Sequence, residues 1–193
     1  MVHWAEKSLI EEKWNSITHA IGFGYFFSFL FRSNTQPESV YCYGALLVYG
    51  FSTLYHATER TKLKSFLRMM DMAAIHVLIA VSSISYISQF GCETYTTLPL
   101  CLGIVGVIHI IGKYEERGFV PVYVSFAALG FAAFYFSVGL GSSLAVCYFS
   151  VGITIYLLGL VFYLRDYKKW YHTMWHLFVL AGSIVHLGGL NTI

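Results

Sequence analysis

The stretch RDYKKWYHTMWHLFVLAGSIVHLGGLNT, residues 165–192, decides the class of this protein. Arg165, Lys168 and Lys169 crowd its start, and from Thr173 to Thr192 there is no Asp, Glu, Lys or Arg. A hydrocarbon core about 30 Å thick needs about 20 helical residues, which is what this run supplies. At the join stand His172 and His176, four residues apart. On a helix both rings project from one face. They are therefore either two ligands of one ion or two packed side chains at a membrane boundary, and the pair alone does not choose.

Six further apolar runs come close to the same length: 15–32, 39–57, 71–90, 96–112, 120–138 and 143–164. They are apolar on consecutive residues, unlike the alternating ten-residue strands of a membrane β-barrel. Pro37, Pro99 and Pro121 all fall at run ends, so none kinks a span. Of 193 residues 57% are hydrophobic and 11% charged, against about 25% charged in an average soluble domain. The expected fold is all-α, a polytopic seven-transmembrane helix bundle forming one domain over residues 1–193. No linker, low-complexity tract or internal repeat divides it.

Basic residues in the short loops set the expected topology. With the N-terminus cytoplasmic and the C-terminus outside, Lys7, Lys13, Arg60, Lys62, Lys64, Arg68, Lys113, Arg117, Arg165, Lys168 and Lys169 lie inside, and only Arg32 outside. This bias orients multi-pass proteins. The net charge of +2 is thereby a matter of orientation, and no nucleic-acid partner is expected. No cleavable signal peptide is expected either, since MVHWAEKSLIEEKW (1–14) carries charges ahead of the apolar run and no small-residue cleavage site follows. Ile10, Trp14, Ile17 and Ile21 repeat at helical spacing, so residues 1–14 are read as a cytoplasmic interfacial segment. Cys42, Cys92, Cys101 and Cys147 have no CxxC spacing and read as small packing residues.

Ionisable groups inside spans are costly and mark function. His56 at the end of span two, Asp71 at the start of span three, and His172 and His176 at the start of span seven converge on one membrane depth. Ser52 lies one turn deeper than His56 in STLYH (52–56). Three neutral imidazoles would leave one position of a tetrahedral Zn²⁺ open, the layout of a catalytic site, with Asp71 placed to orient or deprotonate water. In TKLKSFLRMMD (61–71), Leu63, Phe66, Leu67 and Met70 form an amphipathic turn fit for the inner membrane face. A lone intramembrane histidine is more often a packing residue, and His76, His109 and His186 are read so. Clustering at one depth favours a metal site for the other three.

EEKWNSITHAIG (11–22), STLYH (52–56), RMMD (68–71) and HTMWHLFVLAGS (172–183), with His186 beyond, resemble the ordered motif series of the hemolysin III family. That family belongs to the progestin and adipoQ receptor group, related to the alkaline-ceramidase-like membrane metal-dependent hydrolases. The resemblance implies a bacterial inner-membrane protein in which His56, His172 and His176 bind zinc. It implies further that Asp71 approaches the metal through water and that Ser52 is the superfamily serine. Glu11, Asn15, Thr18 and His19 match the N-terminal signature, for which a supporting hydrogen-bond network is the expected role. The implied chemistry is hydrolysis of an amide or ester in a lipid-like substrate with an acyl chain. Asp71 would move the proton and Ser52 would stabilise the oxyanion. Met72 and SSISYIS (82–88) depart from the family's usual third span, so the cavity wall that this span supplies is expected to differ from that of relatives. Two other classes stand beside the enzyme: a receptor or sensor with structural zinc, and a pore-forming cytolysin. A pore would want polar residues through the full depth of several spans, and here they gather at the inner end. Haem fits poorly, because two histidines on one helix cannot bracket a flat macrocycle.

Overall fold

The computed structural model describes residues 8–59, 62–113, 120–138 and 143–192. The described residues form seven helices and no strand: α1 (Leu9–Leu30), α2 (Gln36–Ala57), α3 (Lys62–Gln89), α4 (Thr97–Lys113), α5 (Val120–Val138), α6 (Ser143–Tyr163) and α7 (Tyr171–Thr192), with a 3₁₀ turn at Glu93–Thr96. Local chemistry starts the first two. Ser8 with Glu11, and Thr35 with Glu38, each form a reciprocal capping box that satisfies the otherwise orphaned N–H groups of the first turn. Pro37 sits in the first turn of α2, where its missing N–H costs nothing. Gly91 follows α3 at φ +68°, a left-handed conformation that suits glycine.

α3 is the central helix, packed on α2, α4, α5 and α7, while α1 closes the bundle against α2 and α7. The 3₁₀ turn with α4, and helices α3, α6 and α7, are long and apolar enough by themselves to cross a membrane. α1 earns its place differently. Its stripe of Ile10, Trp14, Ile17 and Ile21 is 46–62% exposed and faces outward, whereas Asn15, Thr18 and His19 are buried. That inversion is stable when the surrounding solvent is hydrocarbon and the polar groups can bond one another inside. Leu9–Trp14, read from sequence as part of an interfacial segment, are the first turns of this helix; residues 1–7 lie outside the described residues.

α3 begins nine residues before the expected span. The amphipathic stretch Leu63–Met70 is its first two turns and not a separate surface turn. At 1.5 Å per residue its 28 residues reach about 42 Å, so it extends beyond a hydrocarbon layer of about 30 Å. The core is rich in fully buried aromatic rings, among them Phe26, Tyr41, Tyr49, Tyr86, Phe134 and Phe149. Glycines let helices approach them: a Cβ at Gly22 would press on Tyr49, one at Gly106 on the His76 ring, one at Gly152 on the His186 ring.

Candidate metal centre

His56 is in the last turn of α2, and His172 and His176 are in the first two turns of α7. One ligand nitrogen from each lies within 4.8 Å of the other two, forming a group that can hold a metal ion. The ring centroids make a nearly equilateral triangle, 5.1 Å for His56–His172, 4.9 Å for His56–His176 and 4.7 Å for His172–His176. Tetrahedral bonds of about 2.0–2.1 Å put neighbouring nitrogens roughly 3.4 Å apart, so the rings need move by only about an ångström to close on an ion. His56 and His176 are buried and His172 is half-buried.

The supporting contacts decide which nitrogen would face that ion. His176 Nδ1 is 3.1 Å from the Asn15 backbone carbonyl, which can only accept, so Nδ1 carries the proton and Nε2 presents the lone pair. Thr18 Oγ1 stands 3.3 Å from the same Nδ1. The His176 ring stacks on His19 at 3.7 Å, and His19 meets Tyr49 edge-on. Asn15 Oδ1 accepts from Thr173 Oγ1 at 2.5 Å. Glu11 accepts from the backbone N–H of Trp170, the residue ahead of α7, at 2.6 Å. Glu11, Asn15, Thr18 and His19 thus all lie against the start of α7 or the ligand it carries.

Asp71 and Ser52 come together outside the three-nitrogen group. Ser52 is buried, with no hydrogen bond of good geometry to its hydroxyl, yet it interacts with the Asp71 side chain, as does Arg68. Asp71 does not belong to the three-nitrogen group. Sequence reasoning missed Glu12, whose Oε2 is 2.5 Å from His56 Nδ1 and whose Oε1 is 3.6 Å from Lys64 Nζ. The spacing Glu12, Asn15, His19 (i, i+3, i+7) was the available signal, since it puts the three on one face of α1.

Beyond the site a part-open cleft runs between α3, α5, α6 and α7, with Val48 of α2 at its wall, and holds about 760 Å³ counting the open space at its mouth. Its wall includes Trp175, next to His176, and Val179 and His186 further along α7, with Ile75, Leu78 and Ile79 of α3 opposite. Trp175 and His186 are about 16 Å apart along the helix at 1.5 Å per residue.

A bundle of apolar helices with a histidine triad buried at one end defines a multi-pass membrane protein with a candidate metal centre. The chain belongs to the Haemolysin-III related family, whose sequence model matches residues 7–187. It is 28% identical over 191 residues to a hemolysin-3 homolog of Bacillus subtilis (strain 168), covering 90% of this chain and 89% of that one. It is 30% identical over 153 residues to hemolysin-3 of Bacillus cereus, covering 75% of this chain and 69% of the relative.

Proposed function

We propose that this protein is a zinc-dependent hydrolase of the bacterial inner membrane, acting at the cytoplasmic side on an amide or ester of a lipid-like substrate. The observation that carries the reading is the triad of His56, His172 and His176. Three neutral imidazoles on two helices suit a divalent cation with a coordination position left open. When bound, that cation supplies Lewis acidity for a carbonyl and lowers the pKa of water. The chain's own residues do the rest. Asp71, outside the ligand group, takes a proton from the attacking water and returns it to the leaving amine or alcohol. Ser52, with its hydroxyl not otherwise well bonded, donates toward the oxyanion that develops at the carbonyl. The cavity behind Trp175 accepts an acyl chain.

The orientation rests on charge. Lys13, Lys62, Lys64, Arg68, Arg165, Lys168 and Lys169 lie at or beside the helix ends that carry the triad, and Arg32 follows the opposite end of α1. A lytic reading is favoured only by the names of the two relatives. The apolar walls of the described cavity offer water little to bind along its length.

The test is metal analysis of the purified wild type beside His172→Ala and His176→Ala, with lipid amide and ester turnover measured for wild type and Asp71→Asn. The expected result is about one zinc per wild-type chain, metal lost from both histidine variants, and turnover lost but zinc kept in Asp71→Asn. Metal near zero in all three preparations ends the metal reading. Metal without turnover of any lipid leaves a structural zinc and a sensor, and dye release from liposomes by the wild type would favour lysis.

A further inference from the structure

Glu12 places a carboxylate oxygen 2.5 Å from a ring nitrogen of one member of the triad, His56. Its carboxylate is acceptor-only when ionised. A partner nitrogen at 2.5 Å must therefore bring the proton, so His56 is held as the Nδ1–H tautomer with its Nε2 lone pair available to an ion. The other oxygen faces Lys64 Nζ at 3.6 Å, and that lysine also donates to the Thr58 carbonyl at 2.9 Å. Glu12 thereby ties the first turn of α1 to the end of α2 and the start of α3 at the point where His56 leaves the helix. The Asn15 carbonyl, three residues on, does for His176 what Glu12 does for His56.

We infer that Glu12 is the positioning residue of the metal centre, completing a carboxylate–histidine–metal relay through His56 and making α1 the helix that aims two of the three ligands. The inference rests on the metal reading above and deepens it. A charged acceptor fixes ring orientation and raises the basicity of the opposite nitrogen, and loss of such a partner typically lowers metal affinity 10–100-fold. A neutral backbone carbonyl does the first and less of the second, so Glu12 is the more sensitive of the two supports.

The experiment is a zinc titration of the metal-free full-length protein in detergent, in competition with a chromophoric chelator. The absorption of the cobalt-loaded protein serves as a reporter of ligand geometry. Wild type, Glu12→Ala, Glu12→Gln and Lys64→Met are compared. Glu12→Ala is expected to lose about 10–100-fold in affinity and to shift the cobalt bands. Glu12→Gln keeps an acceptor but no charge, so it should fall between Glu12→Ala and wild type, and it carries the measurement if the alanine variant does not fold. Lys64→Met should stay within about threefold of wild type, because a half-buried ion pair that is as long as 3.6 Å and still reached by water contributes little; a loss matching that of Glu12→Ala would show Glu12 acting as a helix staple and overturn the relay. Wild-type affinity and an unshifted cobalt spectrum in Glu12→Ala overturn this inference alone. A wild type that takes up neither ion overturns the metal reading and this inference with it.

Discussion

Removing His172 and removing His176 should both abolish metal binding, but they should differ in what they do to the empty protein. A ligand that binds only the folded state stabilises it by about 2.7 kcal/mol at 100 times its Kd and about 4.1 at 1,000 times. For a chain of this size each kcal/mol moves the melting temperature by roughly 2–4 °C, so saturating zinc should raise the wild-type Tm by roughly 5–15 °C. His172 is half-buried, and its contact with Asp166 is long at 3.9 Å. In His172→Ala the zinc-dependent rise should vanish and the metal-free Tm should stay within about 3 °C of wild type. His176 is buried, bonded to the Asn15 carbonyl and stacked on His19. Losing the stack is worth about 0.5–1.5 kcal/mol, and the lost hydrogen bond and the vacated space add about 1–3, even though Thr18 Oγ1 still donates to the Asn15 carbonyl. The metal-free His176→Ala protein should therefore melt roughly 5–15 °C lower as well as losing the zinc response. The assay is thermal unfolding in one detergent, with chelator and with excess zinc. A zinc-dependent rise preserved in His172→Ala would falsify the ligand set, and equal metal-free losses in the two variants would refute the packing account.

Two further outcomes follow from the same contacts. Both nitrogens of His19 are buried without a hydrogen bond of good geometry, beyond a weak approach to the His176 backbone, while its ring stacks on His176 and meets Tyr49 edge-on. A phenyl ring keeps those contacts and removes polar atoms that cost about 1–3 kcal/mol each when unsatisfied. His19→Phe should thus match or exceed wild type in metal-free Tm and still take up zinc; loss of zinc would make His19 a ligand. Ser183 accepts from Tyr49 and meets Tyr156, each at 2.8 Å, deep in the bundle. Hydrogen bonds between membrane helices average about 0.6 kcal/mol and reach about 1.7, so Ser183→Ala should destabilise by about 1–3 kcal/mol with metal affinity unchanged. A denaturant titration showing less than about 0.3 kcal/mol would mean that the tyrosines re-pair elsewhere.

The seven helices were legible because a lipid span is long and apolar, and the triad was legible because basic residues assign both ends of every span to a side. What periodicity could not supply was phase. Ile10, Trp14, Ile17 and Ile21 announce a face, but only the surroundings say whether that face points to a core or to lipid, and here it points outward. The same ambiguity hid Glu12. Adjacent residues on a helix are 100° apart, so of the pair Glu11 and Glu12 one must turn toward the bundle and the other along its rim. The sequence motif favoured Glu11, which in the structure caps α1 and bonds Trp170, while Glu12 reaches His56. The start of α3 was misjudged for a related reason: Lys62, Lys64 and Arg68 look like a loop in hydropathy but continue the helix past the hydrocarbon.

The histidines themselves show why composition alone cannot find a metal site in a membrane bundle. His76 and His186 are as buried as His176, yet they do different work. His76 fits the notch that Gly106 leaves and stacks on Tyr123 at 4.3 Å. His186 fits the notch at Gly152, lies parallel to Phe149 at 4.8 Å, and donates from Nε2 to the Phe149 carbonyl. Each is a flat ring placed where two helices approach closely, and in His186 the nitrogen a metal would take is already spent on the backbone. In His56 and His176 it is Nδ1 that is engaged, by Glu12 and by Asn15. Between His186 and the ligands His56 and His176 the discriminating feature is therefore which nitrogen the protein ties down, and α1, which carries both Glu12 and Asn15, is the helix that ties it.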